Sequence, residues 1–310
     1  MRFILLLLIL THCASFEKTA PEKKMETLSP AEKKVIEDYR AELEVGRSMA
    51  GKLITVYGSI GDIGLLNYLN ELGLYVAQFS ATPQKKFMFA ILDDKSVNAY
   101  ACPGGYIFIT IGALRLARNE AELAAILGHE IAHVSKRHMM QTLLALSKEE
   151  LDAKATRLKA ERSTDVMKAR QRPEADENDS ATQFIKVIAL ASGGSNLNLL
   201  TAAKAGMNLM LEKGLNPQME LQADHEGVKY AASAGYDPFA LKIFLARLQE
   251  SKKNQKASSE VLDKTHPNFD KRTAEIDKAL SEIDANGIIG ATQQQRFQNK
   301  IKKLKQKIKV

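Results

Sequence analysis

Residues 126–138 read ILGHEIAHVSKRH, with His129 and His133 four positions apart and Glu130 directly after the first histidine. On a helix, residues i and i+4 lie on one face, so both imidazoles can point at one ion. Glu130 then sits a step around the axis, beside the ion rather than on it. A zinc hydrolase needs this arrangement: two neutral imidazoles as ligands, and a carboxylate to take the proton of a metal-activated water. A solvated helix carrying these residues by chance is the duller reading. The flanking AAIL and IA are apolar, which predicts burial, and buried rings need polar partners.

A catalytic zinc takes three protein ligands and keeps one position open. MELQADHEGVKY, residues 219–230, offers Glu220 and Asp224, again at i and i+4. Glu220 can be the third ligand. Asp224 can accept a hydrogen bond from the other ring nitrogen of a ligating histidine. Alone, such a pair is more often a solvated face; beside the first motif it acquires a role.

Several elements must position these groups. Ser29 and Pro30 open a helix over about 30–52, and residues 62–80 carry apolar positions at helical spacing. KFMFAILDD (86–94) and YIFITIG (106–112) are short, apolar and rich in β-branched and aromatic residues, so they read as strands, with SVNAYACPGG between them. Asn119 caps a long helix through the histidine motif, and His138 is expected to continue that helix in a structural role. Residues 148–182 are charged and poor in apolar residues, an excursion from the core. The apolar stretch 184–211 is broken at Gly193-Gly194, and each half is too short to span a bilayer. It is expected to cover the cleft as a lid. Further helices are predicted from Pro217 to Ala234, over 238–250, and after THPNFDKR.

Four stretches together resemble the HtpX/CAAX-prenyl-endopeptidase family of zinc metallopeptidases, closest to its bacterial periplasmic and lipid-anchored quality-control branch. They are NAYACPGGYIFITIGAL, NEAELAAILGHEIAHV, ELQADHEGVKYAASAGYDP and THPNFDKR. The resemblance covers roughly residues 45–280. Tyr100 and Cys102 depart mildly from the family's NAFALPGG segment. LNPQM, before Glu220, lacks a serine–arginine pair often seen there. The resemblance implies one zinc per chain on His129, His133 and Glu220, with Glu130 as catalytic base and Asp224 hydrogen-bonded to a ligand. It also implies an α+β fold, a mainly helical zincin-like domain with a small sheet beside the zinc helix.

In such sites a substrate chain usually adds to an exposed strand edge, and residues 98–107 are the candidate edge. Asn98 could hold the substrate chain or cap the strand. Gly104 and Gly105 could permit close backbone approach or form an ordinary hairpin turn. His266, in the HP segment, could approach the metal's open position or an oxyanion, or could simply fix a turn.

The start, MRFILLLLILTHCASF, pairs one arginine with a short apolar run that suits an export signal. Leu10-Thr11-His12-Cys13 resembles a lipoprotein processing site, with His12 where a small residue is usual, so Cys13 is the expected lipidation point; a plain cleaved signal with an incidental cysteine is the alternative. Domain organisation then reads as signal and processing region 1–13, tether 14–29, peptidase domain 30–290 with its excursion and lid at 148–212, and basic tail 291–310. The net charge is +7, and the last 20 residues alone carry seven Lys/Arg and no acid, so the basic balance describes that tail. There is no tryptophan and only 6% aromatic residue, which argues against base-stacking nucleic-acid modules. In the tail, Phe297, Ile301, Leu304 and Ile308 recur at helical spacing among lysines, as in a helix lying on an anionic membrane. A frayed, solvated end is the alternative. The expectation is an exported, lipid-anchored zinc endopeptidase on the periplasmic side of a bacterial envelope membrane, acting on misfolded or misassembled envelope proteins. An envelope chaperone or assembly factor with a structural or latched zinc site is the rival.

Overall fold

The computed structural model describes residues 28–145, 214–254, 269–287 and 289–307. Cys13, the charged excursion, the apolar segment 184–211 and His266 lie outside the described residues. Residues up to Arg40 and residues from Ala41 onward form two units. Among the described residues, the first unit holds the start of helix α1 (Pro30–Tyr57). A capping box opens it: Ser29 N and Oγ donate to Glu32 Oε2 at 2.8 and 2.7 Å, and Glu32 N donates back to Ser29 Oγ at 3.3 Å.

In the second unit, helix α2 (Ile63–Ala77) starts where Asp62 accepts from Leu65 N. Strands β1 (Met88–Leu92), β2 (Ala99–Cys102) and β3 (Tyr106–Thr110) form one sheet in the order β1-β3-β2. β1 runs parallel to β3, with Phe89 opposite Ile107, and β2 runs antiparallel, with Tyr100 opposite Phe108. The strand β2 lies inside the stretch that the sequence leaves between two strands. Its four residues are too short to show a period on their own, and pairing to β3 supplies what the pattern lacks.

Side chains alternate across this sheet. Phe89, Ile91, Ala99, Ile107 and Ile109 enter one core with α2, while Leu92, Tyr100, Cys102 and Phe108 meet Val45, Met49 and Leu53 of α1. Thr110 ends β3 and caps the short helix α3 (Ile111–Leu116), accepting from Ala113 N.

Helix α4 (Glu120–Ser135) is the centre of the molecule and is buried from Glu120 through Val134. A helix apolar all round is a core helix, and here even the polar positions are inside. The acids of its first turn, favourable at a helix N-terminus, are matched individually. Glu120 accepts from Tyr68 and Tyr236 hydroxyls, both at 2.8 Å, and pairs with Arg296. Glu122 takes both guanidinium arms of Arg247 at 2.6 and 2.9 Å.

Helices α5 (Pro217–Ser233), α6 (Ala240–Asn254), α7 (Phe269–Glu282) and α8 (Gln294–Lys307) complete the described unit. It is therefore a mainly helical α+β domain with a three-stranded mixed sheet, as expected. One boundary differs. Residues 291–301 do not begin a tail: Ala291 bridges to Tyr236, and Phe297 and Ile301 are buried in the main core. Those two apolar side chains are therefore not available to a membrane surface. No helix among the described residues is long and apolar enough to cross a membrane.

Candidate metal centre and active site

Two backbones touch where α4 crosses α5. A Cβ on Gly128 would lie 2.7 Å from Gly227 O, and one on Gly227 would lie 2.6 Å from His129 N. Only glycine fits at both positions. This contact brings the second acidic motif onto the first histidine motif.

His129, His133 and Glu220 converge as a buried group whose donor atoms all lie within 4.8 Å of one another. The Nε2 atoms of the two histidines are 3.0 Å apart. Glu220 Oε2 is 3.6 Å from His129 Nε2, and its Oε1 is 3.5 Å from His133 Nε2. Tetrahedral zinc with bonds of about 2.0–2.1 Å places neighbouring donors about 3.3 Å apart. The three separations bracket that value, and two nitrogens plus one carboxylate is a zinc-type donor set. The residues present fit a divalent metal.

Each histidine of this group is held from behind. His129 Nδ1 lies 2.9 Å from Asp224 Oδ1. Asp224 in turn receives Arg272 in a two-pronged bond, Nε to Oδ2 at 2.6 Å and Nη2 to Oδ1 at 2.7 Å. All three are buried. Burial disfavours the charge on Asp224, but Arg272 and His129 outweigh it and its pKa falls. Burial also works against the imidazolium of His129; Asp224 and Glu220 prevail and hold its pKa up at about 10. The carboxylates that would favour a proton there equally favour a bound cation.

His133 is held differently. The helix does not continue as expected: α4 stops at Ser135, Lys136 and Arg137 form a turn, and a new helical segment starts at His138. Arg137 takes φ 56°, a left-handed conformation uncommon for a residue with a side chain. Glu42, 2% exposed, holds this turn. It pairs with Arg137 Nε and with Lys85 Nζ, each at 2.8 Å, and accepts from Gly104 N at 3.2 Å. After the turn, His138 Nδ1 lies 2.9 Å from His133 Nδ1, and its Nε2 lies 2.9 Å from Gln222 Oε1.

Glu130 is 3% exposed. With His129 and Arg272 it borders a pocket walled mainly by Val97, Ile126, Leu241, Phe244, Leu245 and Leu248, about 450 Å³ including its mouth. Asn98 lines the same pocket, and its side chain also accepts from Ala99 N at 2.9 Å, as a strand-opening residue would. Gly104 and Gly105 take φ of 75° and 94° in the β2–β3 turn. A Cβ on Gly105 would sit 2.0 Å from Lys86 O, so close packing inside the fold already accounts for these glycines. They do not line the pocket beside Glu130. Cys102 is a fully buried free thiol whose pKa is pushed up by burial and by the Glu130 carboxylate, so it is not a reactive thiolate.

A buried helix that presents two histidines and a glutamate, with a further carboxylate from a second helix, is an arrangement that suits a metallohydrolase. The chain belongs to peptidase family M48, whose description matches residues 66–280. It is similar to the beta-barrel assembly-enhancing protease of Escherichia coli (strain K12), 26% identical over 216 residues, which is 70% of this chain and 39% of that protein. The putative beta-barrel assembly-enhancing protease of Vibrio cholerae is 29% identical over 191 residues, 62% of this chain and 34% of that protein. The mitochondrial metalloendopeptidase OMA1 of Schizosaccharomyces pombe is 24% identical over 215 residues, 69% and 53% of the two chains. The chain thus spans about two fifths of the length of the first of these relatives.

Sequence reasoning missed the roles of Arg272, Gln222 and Glu42, and gave His138 only a structural place on a continued helix. Arg272 stands in the quoted THPNFDKR segment, so a signal was present. For Glu42 there was none, because its partners come from three distant places in the chain.

Proposed function

We propose that the chain is a zinc-dependent metalloendopeptidase that cleaves misfolded or misassembled proteins of a bacterial envelope. The observation that carries this reading is the convergence of His129, His133 and Glu220, with Glu130 lining an apolar pocket beside His129. A divalent metal on these three residues would lower the pKa of a water to about 7 and polarise a carbonyl.

The chain's own residues supply the rest. Glu130 accepts a proton as the water oxygen bonds to the peptide carbonyl carbon. It then passes that proton to the leaving amine nitrogen as the C–N bond breaks. Asp224 and Arg272 keep His129 aimed. Among the described residues β2 is an outer strand of the sheet, which supports binding of an extended chain through backbone hydrogen bonds. The apolar pocket supports substrates that present apolar side chains, as unfolded chains do and folded surfaces seldom do.

The four motifs favour the HtpX/CAAX-type and envelope branch of family M48, and the names of the bacterial relatives support an envelope role. In this reading Cys13 carries a lipid anchor to the membrane surface and the segment 184–211 restrains access to the cleft.

The test is Glu130→Gln in zinc-loaded protein, assayed on casein with and without chelator. Cleavage should fall by at least ~10²-fold, typical for loss of a positioned general base, while zinc stays bound. A variant that folds, holds zinc and cleaves like the parent would remove Glu130 from the chemistry. A chain that holds zinc yet never cleaves would favour the chaperone reading.

A further inference from the structure

The hydrogen-bond chain His133–His138–Gln222 can be read proton by proton. His133 Nε2 faces His129 Nε2 and the Glu220 carboxylate, so it is the metal-directed nitrogen. The remaining proton of a neutral His133 is then on Nδ1. That N–H points at His138 Nδ1, 2.9 Å away, which must accept and so carries no proton. The proton of His138 is therefore on Nε2, where it donates to Gln222 Oε1 at 2.9 Å. With His133 Nε2 turned to the metal, only one arrangement of protons satisfies both hydrogen bonds of this chain.

We propose that His138 is a positioning residue for the metal: a neutral imidazole that fixes the ring orientation and tautomer of His133. The proposal rests on the metallohydrolase reading of the site.

The backbone supports this. On an unbroken helix, positions five apart are turned about 140° from each other, so His138 could not have reached His133. The turn at Lys136-Arg137 reverses that separation. It costs a left-handed residue, Arg137, and a buried carboxylate, Glu42, is spent on holding it. Ligating histidines usually donate to a carboxylate, a backbone carbonyl or water, and His129 follows that habit with Asp224. His133 donates instead to a neutral ring backed by a neutral amide. The site thereby holds both rings without a fourth buried acid beside Asp224, Glu220 and Glu130, where a further negative charge would be costly.

The experiment compares His138→Leu, His138→Asn and Gln222→Leu in the full chain, each prepared metal-free and titrated with zinc against a competing chelator. Melting of the metal-free forms is followed in parallel. His138→Leu should weaken zinc binding about 10- to 100-fold, the usual range for such partners. His138→Asn, whose amide oxygen can stand where Nδ1 stood, should recover most of the loss. Gln222→Leu should give a smaller loss. In the cobalt-loaded form, His138→Leu should also shift the visible absorption bands, which report ligand geometry.

A merely structural His138 would lower the melting temperature and leave zinc affinity and the cobalt spectrum unchanged, and that result overturns the proposal. Should His138→Leu not fold, imidazole ¹⁵N chemical shifts of the zinc-loaded parent decide. His138 as the Nε2–H form supports the proposal, and a doubly protonated or Nδ1–H ring refutes it. Absence of zinc binding in the parent chain would instead be the failure of the metallohydrolase reading.

Discussion

Arg272 touches no proposed ligand, yet the structure gives it a large role. Its guanidinium and the Asp224 carboxylate are 5% and 0% exposed as side chains and meet at 2.6 Å. Replacing Arg272 with leucine leaves Asp224 buried with one partner fewer. Breaking a buried pair in this way costs about 3–5 kcal/mol. At roughly 2–4 °C per kcal/mol for a domain of this size, the melting temperature of the metal-free protein should fall on the order of 10 °C. Zinc affinity should fall as well, about 10- to 100-fold, because Asp224 loses the group that keeps it ionised and aimed at His129.

The two effects separate in a double variant. Arg272→Leu with Asp224→Leu removes both charges, so most of the stability should return. Zinc affinity should not, since His129 still lacks its acceptor. Arg272→Lys should rescue poorly, because one ammonium cannot replace the two-pronged bond. The assays are urea or thermal unfolding of metal-free protein and chelator-competed zinc titration. Arg272→Leu within 1 kcal/mol of the parent and with equal zinc affinity would refute the argument. So would a double variant that recovers both properties.

Three further perturbations follow from the geometry. Gly227→Ala puts a Cβ 2.6 Å from His129 N, so the helices must separate; a loss of about 1–3 kcal/mol with weaker zinc binding is expected by unfolding and titration. Phe297→Ala empties a fully buried site on α8 and should cost about 3–5 kcal/mol; an unchanged urea midpoint would show that α8 does not dock. Leu245→Asp places a charge in the apolar pocket wall and should lower kcat/KM for apolar peptides roughly 10- to 200-fold with zinc content unchanged; equal loss on all peptides would mean a general lesion.

How much of this was legible in the sequence follows from distance along the chain. His129, Glu130 and His133 declare themselves because helical spacing converts a local pattern into a shared face. Glu220 and Asp224 do the same on their own helix. The supporting groups do not, because their meaning depends on contacts the pattern cannot encode. Arg272 reaches Asp224 across 48 positions, Gly128 meets Gly227 only once two helices are packed, and nothing local marks Arg137 as left-handed. The strand β2 was legible only as part of a candidate edge over 98–107; its bounds were not, since four residues acquire them by pairing with β3.

The helix α8 shows why amphipathicity alone leaves a choice. Apolar residues at helical spacing among lysines suit a membrane surface and a protein core equally well, because both bury one stripe and solvate the other. What decides is whether the domain supplies a matching surface. Here it does: Glu120, at the first position of α4, is fully buried and needs a cation, and Arg296 provides one beside Phe297 at 0% exposure. A carboxylate buried at the start of the histidine-motif helix thus specifies the docking of a segment that seemed to be a tail. The same helix carries His129, Glu130 and His133 about two and a half to three and a half turns later, so α8 packs directly on the element that holds the candidate site.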